Sequence, residues 1–154
     1  MDLGVSGRVA LVTAASKGLG RASAVALAQE GAKVVICARG AEALVDAEAE
    51  LGSCTEVLAI QADVTDPAVP AQLVAASVER FGRLDIVVAN AGGPPAGRSL
   101  EIDDAQLEAA VNANLLTSVR LVREAVPHMR QQGGGRICLI TSSSIKQPIP
   151  TLAL

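Results

Sequence analysis

The residues best suited to chemistry near the start of the chain form a turn of small side chains between two apolar stretches. The turn reads Thr13-Ala14-Ala15-Ser16-Lys17-Gly18-Leu19-Gly20, after the apolar residues 9–12 and before an apolar-periodic stretch over 22–28. Such a turn, between a buried strand and the start of a helix, leaves backbone N–H groups and the helix dipole available to a phosphate. The sequence therefore predicts a site for a phosphate-bearing nucleotide.

Polar residues follow three later apolar runs, at positions where strands of a parallel sheet would end. They are Asp63-Val64 after 57–62, Asn90-Ala91-Gly92 after 84–89, and Thr141-Ser142-Ser143-Ser144 at the end of the run that starts at 136. Because the carboxyl ends of parallel strands meet at one edge, we expect these residues beside the small-residue turn. The alternatives are an ordinary turn at Asn90 and a helix cap at Asp63, although Asp66 suits a cap better.

Apolar runs alternate along the chain with segments of helical periodicity. The predicted strands cover Val9–Thr13, Lys33–Ala38, Val57–Ala62, Leu84–Ala89 and Arg136–Thr141. The predicted helices cover Gly18–Glu30, Glu42–Leu51, Ala68–Phe81 and Asp104–Gln131, the last either continuous or broken into two. Gly31, Gly52 and Gly82 follow the first three helices, where a left-handed cap favours glycine. The alternation predicts an α/β fold, one domain over 1–154 with a doubly wound parallel sheet.

The composition favours the same fold class and argues against several functions. Half of the 154 residues are apolar and Phe81 is the only aromatic one, as is typical of a parallel sheet covered on both faces. The net charge of −3, with both signs interspersed, argues against nucleic acid or an anionic membrane as a partner. Without an apolar stretch of roughly 20 residues or a secretory signal, the chain is expected to be cytoplasmic.

The cysteines have no spacing typical of metal ligands or of a disulfide framework. There are three of them, Cys37, Cys54 and Cys138. We expect reduced, buried thiols that pack as small apolar residues, and the sequence predicts no metal site.

The chain resembles the short-chain dehydrogenase/reductase family, including its 3-oxoacyl-carrier-protein reductase-like members, in a series of motifs that occur in the family's order. These are TAASKGLG, the Asp-Val pair, the Asn-Ala-Gly triplet, an asparagine on the long helix and a serine pair after the fifth strand. The resemblance implies a Rossmann-type sheet, a nicotinamide cofactor and hydride transfer to or from a carbonyl or alcohol substrate. A catalytically degenerate dinucleotide-binding protein, acting as a sensor or scaffold, is the alternative.

The resemblance assigns the small-residue turn to the cofactor. Its predicted contacts are Thr13, Ser16, Lys17, Gly18, Leu19 and Gly20. Ala14 replaces the family's usual first glycine, and its methyl group is expected to be tolerated because the backbone there avoids positive φ. Leu19 would line the nicotinamide side, or serve as a contact in the hydrophobic core.

Further cofactor contacts follow the third and fourth strands by the same resemblance. Asp63 would accept a hydrogen bond from the adenine amino group, and Val64 would add backbone and apolar contact. Asn90, Ala91 and Gly92 would lie beside the cofactor ribose.

The end of the second strand bears on which nicotinamide cofactor is used. Members that prefer NAD(H) place a carboxylate there to bind the ribose 2′-hydroxyl, whereas this chain has Ala38 followed by Arg39. Arg39 can make charge-assisted hydrogen bonds to a 2′-phosphate, and Ser16 and Lys17 add a donor and a second positive charge. The sequence favours NADP(H), with NAD(H) as the second candidate.

Two polar residues match the family's active site. Asn114 matches the helix asparagine that holds a water for a proton relay, and Asn112 is its rival. Ser142 lies where the catalytic serine falls, with Ser143 as the alternative if the register shifts by one. Its hydroxyl would bind the substrate oxygen where charge develops.

The family's acid is a tyrosine about thirteen residues after the serine, assisted by a lysine. The chain has no tyrosine. We therefore expect an N-terminal fragment of a longer NADP(H)-dependent reductase, with an incomplete sheet and no efficient turnover by itself. By resemblance, a homodimer or homotetramer is expected, with the helix after Asp104 as one contact surface.

Overall fold

The computed structural model describes residues 3–93, 96–98 and 100–150. Its strands are β1 (Val9–Val12), β2 (Lys33–Ala38), β3 (Val57–Gln61), β4 (Ile86–Ala89) and β5 (Arg136–Leu139). Its α-helices are α1 (Gly18–Gln29), α2 (Ala41–Gly52), α3 (Val69–Phe81), α4 (Asp104–Val111) and α5 (Thr117–Gln131). A π-helical turn, Asn112–Leu116, joins α4 to α5, and a 3-10 turn covers Ser143–Ile145.

The strands form one parallel sheet in the order β3-β2-β1-β4-β5. Successive strands are laid outward from β1 on one side, and the order reverses between β1 and β4. In doubly wound sheets the ligand crevice lies at the carboxyl ends of the strands, at this reversal. The predicted fold class is confirmed, and the crevice position is set by Val12 and Ala89, the last residues of these two strands.

Alternate residues of the strands enter cores on opposite faces of the sheet, as the two-residue period of a strand requires. Leu11 and Val35 pack on the α3 and α5 side, whereas Val12 and Ile36 pack on the α1 and α2 side. Fully burying a side chain of this size contributes about 1.5–3 kcal/mol, so both layers are needed for stability. All four residues of β5, the strand at the sheet edge, are exposed.

The predicted glycine caps are correct at two of the three positions. Gly31 and Gly82 have φ of +82° and +75°, in the left-handed region that favours glycine. The prediction of a left-handed cap at Gly52 is wrong, because Gly52 is the last residue of α2 and Ser53 continues in right-handed geometry. Here the helix is ended by backbone bonds from residues 53–55 to its last turn, without a reversal of φ.

The long predicted helix is continuous but changes its winding once. Asp103 begins it with a capping box, in which its carboxylate accepts from the Gln106 N–H and the Gln106 side chain accepts from the Asp103 N–H. The π turn then inserts a wider loop of backbone before α5. Within the described residues, no helix is long and apolar enough to cross a membrane.

A buried carboxylate connects two strands at their amino ends, at the end of the sheet opposite the predicted site. Asp85 accepts a two-pronged pair of bonds from Arg83 at 2.7 and 2.6 Å, one from Arg8 at 3.1 Å and one from the Val9 N–H at 2.9 Å. Burial opposes the ionised form, but these donors together outweigh it and hold the pKa of Asp85 below its usual value. The carboxylate therefore joins the starts of β1 and β4 as an anion.

We expect Asp85→Ala to lower the free energy of unfolding by about 2–3 kcal/mol in urea titration at pH 7. Breaking a buried pair costs about 3–5 kcal/mol, and the figure is reduced here because Arg8 and Arg83 are partly solvated. Glu56→Ala, which removes an exposed partner of Lys33 and Arg80, is the matched control and should have a much smaller effect. Equal losses in the two variants would contradict this role.

The same variant should show a defined pH dependence. Because the folded pKa of Asp85 is depressed, its contribution is complete above the unfolded value of about 3.9 and is lost as pH falls through the folded pKa. The stability difference between wild type and Asp85→Ala should thus be constant from about pH 5 to 7 and shrink below about pH 4. A difference that grows on acidification would refute the depressed pKa.

Candidate functional site

The carboxyl ends of β1 and β4 are held together by the side chain of Thr13. This buried hydroxyl donates to the Asn90 carbonyl at 2.7 Å and accepts from the Asn90 N–H at 2.9 Å. The Asn90 amide in turn donates to the Ala14 carbonyl at 3.3 Å. The structure therefore brings two sequence-predicted site residues into contact at the reversal of strand order.

Two glycines of the turn are required for different reasons: Gly20 for close packing and Gly18 for its left-handed backbone. A Cβ on Gly20 would lie 2.5 Å from the Ala14 oxygen and 2.7 Å from the Asn90 amide nitrogen, so only glycine lets α1 approach this closely. Gly18 has φ of +59° and open space where a Cβ would stand. The turn is thus tight toward the protein and open on its outer side.

Ala14 corrects one expectation, because its φ is +49°, in the left-handed region. Alanine there costs about 1–2 kcal/mol relative to right-handed geometry.

Beneath the turn, the Ala15 N–H donates to the Cys37 carbonyl at 3.0 Å. Burial raises the pKa of the Cys37 thiol to about 11, although the nearby Ala14 backbone acts in the opposite direction, so the thiol stays protonated.

Of the three cysteines, only Cys37 is buried as expected. Cys54 and Cys138 are exposed, because Cys54 follows α2 at the surface and Cys138 lies on the exposed edge strand β5.

The start of α1 is an open set of hydrogen-bond donors. The first-turn N–H groups of a helix have no partner within it. Lys17, at the N-cap position, supplies no side-chain hydrogen bond, and the first turn carries no acidic residue. Lys17 and Gly18 are exposed, Ser16 is half-buried, and Leu19 is 65% exposed. The core-contact interpretation of Leu19 is therefore wrong.

Arg39 lies directly after β2 on the same edge of the sheet. Its side chain is exposed, and its carbonyl accepts a bond from the Gln61 amide at 3.0 Å, which fixes the backbone where the arginine leaves the strand. The Arg39 guanidinium makes no hydrogen bond within the part of the chain that the structure describes. It is available to a ligand, with Asp63 close enough to interact electrostatically.

Asp63 is half-buried after β3 and uses one oxygen twice. Its Oδ1 accepts from the Thr65 N–H at 3.0 Å and from the Thr65 hydroxyl at 2.8 Å. The Thr65 backbone bond is the largest influence on the Asp63 pKa, and with the hydroxyl and Arg39 it holds that pKa below its usual value despite partial burial. Asp66 accepts from the Ala68 N–H at 2.8 Å, one residue before α3 begins, but no side chain caps that helix.

The remaining predicted cofactor contacts border the same crevice. Val64 lines a small cavity together with Thr13 and Asn90, and also packs against the core. Ala91 is half-buried and Gly92 exposed, with open space where a Cβ of Gly92 would stand. A larger cavity of about 420 Å³ lies at the opposite edge, around Arg8 and Asp85, away from every predicted site residue.

The two candidate asparagines sit in the π turn and differ in their bonds. The Asn114 amide donates to the Ala110 carbonyl of its own helix at 3.0 Å. The Asn112 amide instead donates outside the helix, to the Thr65 carbonyl at 3.2 Å, and accepts from Arg120 of α5 at 2.7 Å. This long-range contact could not be predicted from the sequence, because no local pattern links residues 65 and 112.

Ser142 is exposed after β5, and its hydroxyl has a structural role. It accepts from the Ser144 N–H at 3.1 Å and from the Ser144 hydroxyl at 2.8 Å, and so begins the 3-10 turn. Ser143 is exposed too, with its carbonyl bonded to residues 146 and 147. Among the described residues, no hydrogen bond joins Asn114 or Ser142 to the small-residue turn.

Three residues that contribute to the site were not singled out from the sequence. They are Gln61, Thr65 and Cys37. The Asp-x-Thr spacing at 63–65 is typical of a side-chain-stabilised turn and could have identified Thr65. The contacts of Gln61 and Cys37 depend on strand pairing and have no local pattern.

These features define a doubly wound α/β protein with an open small-residue turn at its topological switch point. The family model described as short chain dehydrogenase matches residues 8–154, and the chain belongs to that family.

The relatives are oxidoreductases by description. Versicolorin reductase 1 of Aspergillus parasiticus is 41% identical over 144 residues, covering 91% of this chain and 53% of the relative. An uncharacterized NAD-dependent oxidoreductase of Mycobacterium tuberculosis is 43% identical over 152 residues, covering 90% and 55%. L-Sorbose reductase from Gluconobacter frateurii, solved with NADPH and L-sorbose, superposes with a TM-score of 0.95 at 35% identity, covering 99% and 59%. The chain spans about half the length of the curated relatives it matches.

The left-handed backbone at Ala14 yields a stability prediction. Ala14→Gly should raise the free energy of unfolding by about 0.5–1 kcal/mol, because relief of the strained φ exceeds the added entropy of the unfolded chain. Ala15→Gly is the control, because Ala15 is fully buried and has an ordinary φ. This variant should be less stable than wild type by about 1 kcal/mol. Urea titration measures both, and a destabilised Ala14→Gly would contradict the strain.

Proposed function

We propose that this protein is an oxidoreductase that transfers a hydride between NADP(H) and a carbonyl or alcohol substrate. The observation that carries the proposal is a pair of exposed cations, Arg39 and Lys17, beside the open N-terminus of α1 in a chain of this family. The reductase descriptions of its relatives favour an enzyme over a sensor or scaffold.

The turn fits the pyrophosphate of a dinucleotide. The open space outside Gly18 gives the ligand access, and the first N–H groups of α1, which have no partner within the helix, would bind it there. No acidic side chain of the first turn competes for these donors. When bound, the nicotinamide supplies or receives the hydride, and Leu19, being exposed, can cover one side of it.

The residues that follow β2 and β3 would bind different parts of the adenosine half of the cofactor. Arg39 and Lys17 would bind the 2′-phosphate by charge-assisted hydrogen bonds, and Ser16 would add a donor. Asp63, kept ionised by its depressed pKa, would accept from the adenine amino group through Oδ2, since Oδ1 is occupied by Thr65. NAD(H) is the second candidate cofactor, because one relative is described as NAD-dependent.

Asn114 and Ser142 would serve the substrate side. We assign Asn114 to hold a water for a proton relay and Ser142 to donate its own proton to the substrate oxygen. The two bonds that the Ser142 oxygen accepts from Ser144 leave its O–H as the remaining donor. With no tyrosine among the 154 residues, we expect this chain to bind cofactor without efficient turnover by itself.

Oligomer formation through the long helix forms part of the proposal. An apolar stripe on α4, the π turn and the start of α5 is 41–56% exposed. It consists of Leu107, Val111, Leu115 and Val119. Residues four apart lie on one helix face, so the stripe offers a surface that a second copy can cover as a homodimer or within a homotetramer.

The cofactor proposal predicts that Arg39→Asp weakens NADPH binding by about 10- to 100-fold, because charge-assisted bonds are lost and a like charge faces the 2′-phosphate. NADH binding should change little or improve. Fluorescence titration with both cofactors measures the preference. Arg123→Asp, the same charge change at an exposed site on α5, should leave it unaltered. An unchanged preference in Arg39→Asp would remove Arg39 from the site.

The oligomer proposal predicts that Leu107→Glu converts the assembly to monomers, because a charge would be buried in the apolar stripe. Sedimentation analysis measures the mass, and circular dichroism checks folding. Val45→Glu, on the exposed face of α2 at 62% exposure, is the control and should leave the assembly intact. A monomeric wild type would refute the proposal.

A further inference from the structure

Asn112 is a polar residue in the middle of the long helix that makes no side-chain bond to that helix's backbone. Asparagine is disfavoured at such positions unless its amide has a partner elsewhere. Here both ends of the amide are used. Nδ2 donates to the Thr65 carbonyl, 47 residues away in sequence, and Oδ1 accepts from the Arg120 guanidinium at 2.7 Å.

Arg120 determines which way the amide faces. A guanidinium has donors only, so it selects the oxygen of Asn112 and turns the amino group toward Thr65. The bond from a charged donor is also the stronger of the two. The π turn that begins at Asn112 thereby holds a fixed donor over the loop after β3.

Thr65 continues the connection to Asp63. Its carbonyl accepts from Asn112, while its N–H and hydroxyl both donate to Oδ1 of Asp63. The bonds thus run from Arg120 through Asn112 and Thr65 to the carboxylate. Thr65 is held by Asn112 at its carbonyl and by Asp63 at its N–H and hydroxyl. This restricts rotation of the Asp63 side chain and keeps Oδ2 in one orientation.

We propose that Asn112 is a positioning residue for recognition of the adenine base, acting through Thr65 on Asp63. The inference rests on the proposed function, in which Oδ2 of Asp63 accepts from the adenine amino group. It gives Asn112 a task separate from that of Asn114, although the two lie two positions apart on the π turn.

The test compares binding of NADPH with binding of its hypoxanthine analogue, in which an oxygen replaces the adenine amino group. A ratio of two affinities measured on one preparation does not depend on how much of the protein is folded. Wild type should prefer NADPH by about tenfold, the worth of one hydrogen bond to a charged acceptor. Asn112→Ala should reduce this preference to about twofold.

Asn112→Asp separates the two bonds of the amide. The carboxylate keeps the pair with Arg120 and the shape of the side chain, but it cannot donate to the Thr65 carbonyl. The preference for NADPH should fall in this variant as far as in Asn112→Ala.

Gln132→Ala is the matched control. Gln132 is also a half-buried amide with both ends used, but its partners are the N–H and carbonyl of Leu84 and, at 3.5 Å, the Asp85 carboxylate, where the strands begin. Its removal should lower stability without changing the preference for NADPH.

The outcomes are distinct. A preference that stays near tenfold in either Asn112 variant overturns the positioning role alone. A similar loss in Gln132→Ala overturns it as well, because general destabilisation would then account for the effect. A wild type that binds neither NADPH nor NADH overturns the proposed function and this inference with it.

Discussion

The reciprocal hydrogen bonds between the Thr13 hydroxyl and the backbone of Asn90 hold the sheet together at the point where its strand order reverses. The β1–β4 ladder pairs three residues of each strand, and the strands end directly after it. A side-chain hydroxyl supplies the bonds that the diverging backbones can no longer exchange. The position of the small-residue turn relative to β4 depends on this contact, together with the Thr13 N–H bond to Val88 and the Asn90 amide bond to Ala14.

The left-handed conformation at Ala14 persists because its neighbours are held on every side. Thr13 donates its N–H to Val88, Ala15 donates to Cys37, and the Ala14 carbonyl accepts from the Asn90 amide. Strain of about 1–2 kcal/mol at one residue is smaller than the combined cost of breaking these bonds in the core. The turn therefore keeps the backbone path of a glycine while carrying a methyl group.

The features predicted correctly from the sequence are those encoded locally. Aliphatic runs such as Lys33–Ala38 give strands, and residues after strand ends, such as Thr13 and Asn90, meet at one edge because all strands are parallel. The errors are tertiary. Alanine's own preference argues against positive φ at position 14, and only the long-range bonds override it. Likewise, nothing near Asn112 in the sequence indicates Thr65, since the chain places them together only after α3 and the long helix have packed.

The positive charges of Arg39 and Lys17 can select a ligand only if the side chains are well placed, because their net charge alone has a weak effect. Arg39 and Lys17 are exposed to water, where Coulomb attraction is strongly screened, so two positive charges by themselves discriminate weakly between phosphorylated and unphosphorylated ligands. Discrimination requires a guanidinium held in place for paired hydrogen bonds. The bond from the Gln61 amide to the Arg39 carbonyl holds the backbone at that point, and the Arg39 charge lies near enough to Asp63 to help lower the pKa of that carboxyl. The Asp63 carboxylate is itself held by Thr65 through Oδ1, so the placement of the Arg39 backbone and of the Asp63 carboxylate depends on uncharged partners.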